Sequence, residues 1–409
     1  MEKFYNQEFY TAIMDEDVDH IEDLTNKYGS NFLIRVLDTA PGDLWKALAA
    51  IPLHLAAANT RVKSIQSLLS AGADPEIRDR LGRTALHLVI SSWPHPLTAK
   101  HKLGSKLKTT GVHECSQAEL CLQILCVHGI NINAEVEGGS RHTALHLSVH
   151  HRALSAVHIL VSYGANINAV NSSGMTPLHM AAGVLHKDLI ASLIEEGADV
   201  NMVALHSGNT PLHMAVVAFA MKTAKTQTDG NGCIKELLEH GAAIDATNNA
   251  GITPLHEACK MASEDLVDLL LSYGADVNKP NREGESSLFQ FLNHPPNVKN
   301  HALLVKLLHL TSPLTIYNHK GQLPSTLMLP CFMKQRDQLL ELLQQPRTLQ
   351  DICKRVIYAS HVHNKKKIRS VLPQSVHDFV FYHWDSLHIS FVTDFKHDLL
   401  NGTLHNISS

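Results

Sequence analysis

The chain of 409 residues is poor in aromatic residues, which make up 5% of it, and it contains three tryptophans. No uninterrupted apolar stretch approaches the roughly 18 residues that a membrane-spanning helix needs, so we expect none. The first residues, Met1 to Asn6, lack a basic segment followed by an apolar run, and we expect no secretory signal. A net charge of −4 excludes the strongly basic composition that is typical of nucleic-acid-binding domains.

Sequence signatures of catalysis and of metal binding are missing as well. The chain has no Walker loop, no dinucleotide glycine fingerprint, no G-x-S-x-G elbow and no H-E-x-x-H motif. The seven cysteines are an odd number, and Cys115, Cys121 and Cys126 lack the paired spacing of a zinc site. We therefore expect no enzyme, no metal and no cofactor, in a protein of the reducing cytoplasm or nucleus.

A repeated phrase, Thr-Pro-Leu-His in its fullest form, dominates the rest of the sequence. Successive fourth positions are 33, 59, 33, 34, 43 and 33 residues apart. The two long steps equal one period plus insertions of about 26 and about 10 residues, and such a period indicates a solenoid of stacked repeats. Solenoids offer long surfaces to partners, so the period predicts an interaction protein. The phrase begins at Ile51, Thr84, Thr143, Thr176, Thr210 and Thr253, with a decayed copy at Ser286.

The unit that starts at Thr176 shows how one repeat forms. Thr176 is a good N-cap, and Pro177 loses no hydrogen bond at the first helical position, so a short helix begins here. Leu189 and Leu193 belong to an apolar stripe that predicts a second helix, which Gly197 ends in a left-handed conformation. Each unit is thus predicted to contain two helices, followed by a polar turn to the next unit.

These units resemble the ankyrin repeat, in Thr-Pro-Leu-His-x-Ala-Ala and in the Gly-Ala-Asp close of the second helix. The resemblance covers about residues 48–292 and implies an all-α ankyrin-repeat solenoid that binds a protein at its turn tips and groove. It also implies that the motif histidines are structural and brace adjacent repeats. We expect a degenerate capping repeat in residues 1–47, and an array over residues 48–345 whose last units are worn.

Two insertions interrupt the period, near residues 91–116 and 217–232. Both fall between the two helices of their repeat, so we expect both at the same edge of the solenoid. Each is interpreted either as a tolerated flexible loop or as a contact for a partner. The side chains that we single out for an unknown protein partner are Trp93 in the first insertion and Arg78, Arg80 and Arg282 at turn tips.

After Pro346 the period stops, and Leu349, Cys353 and Ile357 share one face of a predicted helix. This spacing, directly behind the array, resembles the elongin-binding half of a SOCS box. The resemblance implies that residues 346–384 bind elongin B/C and make the chain a substrate-recognition subunit of a ubiquitin ligase.

The second half of this segment departs from the SOCS-box pattern. The resemblance implies a cullin contact at Leu372 and Pro373, but Gln374-Ser375 follows in place of an apolar residue and a proline. The alternative interpretation is a plain ankyrin scaffold whose C-terminal helices cap the last repeat. Residues 385–409 form a tail of no clear class.

Overall fold

The computed structural model describes residues 2–35, 49–94, 108–221, 227–344, Ile357 and 373–376. The chain divides into two compact units, Met1–His206 and Ser207–Ser409. Both are built from paired α-helices, so the predicted all-α ankyrin-type fold is confirmed. Regular strands in the described residues are limited to an antiparallel ladder of two residues each, between β1 (Ile34–Arg35) and β2 (Ala49–Ala50).

In the first unit, each repeat contributes a first and a second helix. The first helices pack side by side along the unit, and the second helices form a parallel row behind them. Leucine, isoleucine, valine and alanine fill the space between the rows. The helices are α1 (Glu2–Asp15), α2 (Val18–Tyr28), α3 (Pro52–Ala58), α4 (Val62–Ser70), α5 (Ala85–Ser91), α6 (Lys108–Val127), α7 (Ala144–His150), α8 (Leu154–Ser162), α9 (Pro177–Gly183) and α10 (Lys187–Glu195).

The second unit continues the same plan with shorter elements toward its end. Three 3₁₀ helices, Pro295–Lys299, Ser325–Met328 and Pro330–Phe332, accompany its α-helices. Asn297 joins the first of them to the array, since its side-chain amide donates to the carbonyls of Cys259, Lys260 and Phe291. The α-helices are α11 (Pro211–Met221), α12 (Gln227–Glu239), α13 (Pro254–Lys260), α14 (Glu264–Ser272), α15 (Ser287–Leu292), α16 (His301–Leu310) and α17 (Met333–Gln344).

Five motif histidines, within one unit or the other, join their repeat to the following one, as expected. In His87 the ring nitrogen Nδ1 accepts from the amide of Thr84 at 3.2 Å and faces its hydroxyl at 2.8 Å. An amide can only donate, so Nδ1 carries no proton, and Nε2 donates to the carbonyl of Ala134 in the following repeat at 3.0 Å. The same bridge to the next repeat is made by His54, His146, His213 and His256.

A second set of contacts joins the turns that precede the first helices, which we call fingers. A finger is closed by a backbone bond such as that from Asn171 to Met175, and the Asn171 side chain accepts two further amides. Each finger also donates one amide to the finger before it. In the first unit the donors are Glu137, Ser172 and Leu205, and in the second unit they are Asn249, Arg282 and His319.

A third row of bonds runs beside the second helices. The side-chain oxygen of Asn133 accepts from the amide of Asn166 at 2.7 Å, and that of Asn168 accepts from Asp199 at 3.0 Å. Asp245 and Asp276 form the equivalent bond in the second unit. Short polar side chains of the loop after each second helix therefore register one repeat against the next.

Both insertions are partly helical. Residues 108–116 of the first belong to α6, which extends for 20 residues where the equivalent α8 has nine. In the second, α11 continues to Met221 and α12 begins at Gln227. The remaining residues, 95–107 and 222–226, lie outside the described part of the chain.

Acidification is expected to destabilise the array through its motif histidines. Burial lowers the pKa of His87, His146 and His256 to about 4, whereas an unfolded chain has a histidine pKa of about 6.5. Between these values the unfolded state binds more protons. The contribution of these neutral histidines to the free energy of unfolding is therefore complete above about pH 6.5. It is lost as the pH falls toward 4, by about 1.4 kcal/mol per pH unit for each histidine.

Urea unfolding at a series of pH values measures this loss. His146→Gln should flatten the slope of unfolding free energy against pH by roughly one proton. Phe289→Leu is the matched control, because Phe289 occupies the motif position of a later repeat and does not titrate. It should lower stability equally at every pH. A slope that His146→Gln leaves unchanged contradicts the assignment.

The fingers are expected to depend on glycines that the next finger covers. Gly174 has a φ of 68°, and a Cβ there would lie 2.3 Å from the Cβ of Leu205. Gly164 has a φ of 90° and open space around it. Alanine costs about 1–2 kcal/mol at either site for its left-handed backbone, and Gly174→Ala adds an overpacking cost of about 1–3 kcal/mol. Equal losses of unfolding free energy in urea would contradict the stacked-finger arrangement.

Candidate interaction surfaces

The finger tips carry exposed side chains on a backbone that the inter-finger bonds hold in place. In the first unit Leu81 is 61% exposed and Leu205 is 71% exposed, and Arg80 is exposed beside Leu81. In the second unit Arg282 is exposed at the tip of its finger. Apolar side chains that are exposed singly are common on protein surfaces, and these two leucines stand on separate fingers, where a partner can reach them. Sequence reasoning identified the arginines but missed the two leucines.

Arg78 has a different role from the one that its position suggested. Its guanidinium donates to the carbonyls of Gly82 at 2.9 Å and Glu135 at 2.5 Å, and it pairs with Glu137 at 3.2 Å. These contacts join two consecutive fingers. The side chain is therefore occupied within the protein, and its exposed fraction is 28%. Arg78 stabilises the finger tips of the first unit, whereas Arg80 is exposed on a tip of that unit and Arg282 on a tip of the second unit.

Trp93 is buried, with 8% of its surface exposed, and it follows α5 at the start of the first insertion. Its indole packs inside the protein, which leaves little of it for a partner to touch. The expectation of a partner contact at Trp93 is therefore not supported by its position.

The first helices of the first unit add a further surface beside the fingers. Leu147 and Met180, each directly after a motif histidine, are partly exposed, and Val184 is 46% exposed. His142 stacks on His146 with ring centroids 5.6 Å apart. Burial, and next the nearby His150, lower the pKa of His142. This face combines apolar side chains with the half-exposed imidazole of His142, which stays neutral near pH 7.

The residues proposed for elongin and cullin contacts fall almost entirely outside the described part of the chain. Leu349, Cys353 and Leu372 lie there, so the structure places none of them. Ile357 is described and is half-buried, and Pro373 is exposed. The last described helix before this segment, α17, buries Leu339 and leaves Leu340 half-exposed.

One side-chain arrangement has the residue types of a hydrolytic triad. His158 Nδ1 lies 2.5 Å from a carboxylate oxygen of Glu196, and its Nε2 lies 3.4 Å from Ser192 Oγ. Ser192 is 5% exposed and sits inside α10, whose interior amides bond to carbonyls four residues earlier. They leave no pair of donors for an oxyanion, so the arrangement lacks what acyl transfer needs.

The described residues show no arrangement suited to metal binding or to thiol chemistry. In the described ranges, no group of three or more His, Cys, Asp or Glu side chains is placed to hold a metal ion. Burial raises the pKa of the Cys121 thiol to about 12 and that of Cys126 to about 11. Both thiols therefore stay protonated and unreactive. No helix of the described residues has the length and apolarity needed to cross a bilayer.

Comparison with protein families identifies the repeats. Residues 164–226 and 207–281 match ankyrin repeats of a three-copy family, and residues 53–92 and 142–183 match ankyrin repeats of a many-copy family.

Two curated relatives match parts of the chain. Human ankyrin repeat and SOCS box protein 16 is 29% identical over 222 residues, which cover 46% of this chain and 48% of that protein. A putative ankyrin repeat protein of fowlpox virus (strain NVSL), FPV031, is 35% identical over 150 residues, or 36% of this chain and 41% of the viral one. The chain thus spans less than half the length of either relative.

Among solved structures, the ankyrin repeat domain of Bcl-3 is 25% identical to this chain, with a TM-score of 0.47. The alignment covers 58% of this chain and 92% of the Bcl-3 chain. The family matches and the observed helix pairs agree on the residues that form repeats. Ankyrin repeats are scaffolds for protein–protein interaction, and the fold of this chain is an ankyrin-repeat solenoid.

Proposed function

We propose that the protein is a non-enzymatic adaptor, which holds another protein on its repeats and recruits elongin B/C through its C-terminal segment. The bound protein would then be presented to a ubiquitin ligase. In this proposal elongin is bound by Leu349, Cys353 and Ile357, and a cullin is contacted by Leu372 and Pro373. The adaptor acts in the cytoplasm, the nucleus or both.

The observation that carries the binding role is the exposed finger surface. Leu81 and Leu205 are the most exposed leucines of the described repeats, and both stand on fingers tied by backbone bonds. A side chain on a fixed backbone loses little entropy when a partner binds it, so such a surface is preorganised for recognition. Arg80 and Arg282 would supply ion pairs at the rim.

Support for the elongin role comes from the sequence of residues 346–384 and from one relative. Human ankyrin repeat and SOCS box protein 16 carries, by its name, both elements that the proposal assigns to this chain.

A specific observation favours the alternative function of a plain scaffold. On α17, Leu340, Leu342 and Leu343 are half-exposed at the end of the described array. An array end needs a polar face or a cover. In the alternative, residues after 345 supply that cover and recruit no ligase.

The sequence also bears on closer kinship. Thr11-Ala12-Ile13-Met14 near the start, and Asn318 to Pro324 with Met328-Leu329-Pro330 near the end, resemble ankyrin repeat domain-containing protein 61. This proposed relationship does not imply any particular activity.

Co-purification of the full chain with elongin B/C separates the two functions. Leu349→Ser with Cys353→Phe should abolish capture of elongin and leave the melting temperature nearly unchanged. If the segment is only a cover, the same pair disturbs a packed interface, costs about 2–5 kcal/mol and lowers the melting temperature.

The matched control is Asp351→Ser with Arg355→Phe, which makes the same replacements on another side of the predicted helix. It should retain elongin. An unmutated chain that captures no elongin, together with a lower melting temperature of the first double variant, would overturn the adaptor proposal in favour of the scaffold.

A further inference from the structure

The second helices α6 and α8 present an apolar surface on the outside of the first unit. On α6, Leu120 is 48% exposed, Val127 is 68% exposed and Ile124 is half-exposed. Residues three and four positions apart lie on one helical face, so these side chains form a continuous stripe. The same helix buries Leu122 and Leu125 in the array. α6 is therefore apolar on two faces, one packed in the array and one exposed.

α8 packs beside α6 and widens this stripe. Its nine residues contain no Asp, Glu, Lys or Arg. Ile159 is half-exposed, and Tyr163, which follows the last residue of α8, is exposed. We give the name outer patch to the following side chains, which share the outer side of these two helices: Leu120, Ile124, Val127, Ile159 and Tyr163.

The equivalent residues of the second unit indicate that the outer patch is contiguous. Tyr273 occupies the position of Tyr163, directly before the glycine that ends the repeat's second helix. Its hydroxyl donates to Glu239 of the preceding second helix at 3.2 Å, and Glu239 occupies the position of Val127. By the same repeat geometry, Tyr163 faces Val127 between α8 and α6.

The fold does not require apolar residues at these positions. Val127 stands two residues before the glycine that ends its helix, where α4 and α8 have Ser70 and Ser162. Leu120 stands nine residues before the same glycine, where α8 has Ser155. Serine is thus compatible with the packing of the repeats at both positions. Apolar side chains that are exposed together, in place of serine, mark a surface for interaction.

The charges around the outer patch are negative. Among the described side chains of α6 and α8, residues 115–127 and 154–162, the one Asp, Glu, Lys or Arg is Glu119. The next second helix, α10, ends with the exposed Glu195, and the following Glu196 accepts from His158 of α8 at 2.5 Å. The C-terminal ends of α6 and α8 add the negative ends of their dipoles. Arg152 precedes Ile159 by seven residues, or about 10 Å of helix.

We propose that the outer patch binds an amphipathic helix of a partner protein, with lysines or arginines beside its apolar stripe. The spacing of Leu120, Ile124 and Val127 is that of the seam along which two helices interleave their side chains. Cations that flank the partner's stripe would lie near Glu119 and Glu195, and complementary charge favours such an encounter.

A second copy of this chain fits the outer patch less well than a basic helix does. Two outer patches placed face to face would bring their own glutamates together, and juxtaposed like charges oppose association. Binding at the outer patch requires neither the fingers nor the C-terminal segment. It is therefore independent of elongin capture, and either can fail without the other.

Fluorescence anisotropy of a labelled peptide tests the proposal on the full chain at low ionic strength. The probe is a peptide of three heptads, about 21 residues and long enough to be helical, with leucine at a and d, lysine at e and g, and alanine elsewhere. Leu120→Ser with Val127→Ser should weaken its binding at least about tenfold, since burial of two methylene groups already contributes a factor of about ten.

The matched control is Leu33→Ser with Val203→Ser, which makes the same replacements at two exposed positions outside the second helices. It should change the affinity less than about twofold. A second peptide, with glutamate in place of each lysine, should bind roughly tenfold more weakly than the first. Glu119→Gln with Glu195→Gln should narrow the difference between the two peptides.

Three results would overturn the proposal. Equal weakening by both serine variants would show attraction to exposed apolar side chains without a site. A lysine peptide that does not bind the unmutated chain would remove a basic helix as the occupant. Self-association of the chain in sedimentation, abolished by Leu120→Ser with Val127→Ser, would assign the outer patch to a second copy. Urea unfolding of both serine variants controls for stability.

Discussion

The repeats depend on a ring nitrogen that carries no proton. In the motifs that contain His87, His146, His213 and His256, Nδ1 of the histidine accepts from the threonine at the start of its helix, and the opposite nitrogen donates to the next repeat. One residue thus caps its own helix and fixes the position of its neighbour. A proton on Nδ1 would face the amide of Thr143, which cannot accept it, at a fully buried ring. The helix cap and the bridge to the next repeat therefore both require a neutral ring.

The hydrogen bonds between fingers, and those between the loops after the second helices, also fix neighbouring repeats against each other, on either side of the histidine bridge. These hydrogen bonds are made by backbone amides and short polar side chains. The side chains at the finger tips are therefore not needed to hold the repeats together. Arg80, Leu81 and Leu205 can differ from repeat to repeat without loss of the fold. Arg78 is an exception, since it joins two fingers directly. The tip side chains proposed for recognition are thereby distinct from the groups that stabilise the fold.

Local chemistry made much of the fold predictable. Thr176, Pro177 and Gly197 specify the ends of helices through backbone groups within a few residues, and the structure confirms a capped first helix and a left-handed Gly197. The loop bond from Asn166 to Asn133 escaped prediction, because it joins residues whose relative position only the stacked repeats define. The burial of Trp93 escaped prediction as well, since the sequence placed it in an insertion outside the repeat period. The proposed elongin contacts at Leu349 and Cys353 still rest on sequence alone.

The central claim is that the motif histidines are neutral, Nε2-protonated bridges between repeats. Nitrogen-15 NMR of histidine-labelled protein reads the tautomer and the protonation state of each ring directly. The account predicts that His87, His146 and His256 show an unprotonated Nδ1 and a protonated Nε2 at pH 7, and that they keep this form at pH 5.5, well above their pKa of about 4. Rings that carry their proton on Nδ1, or that become fully protonated near pH 6.5, would contradict it.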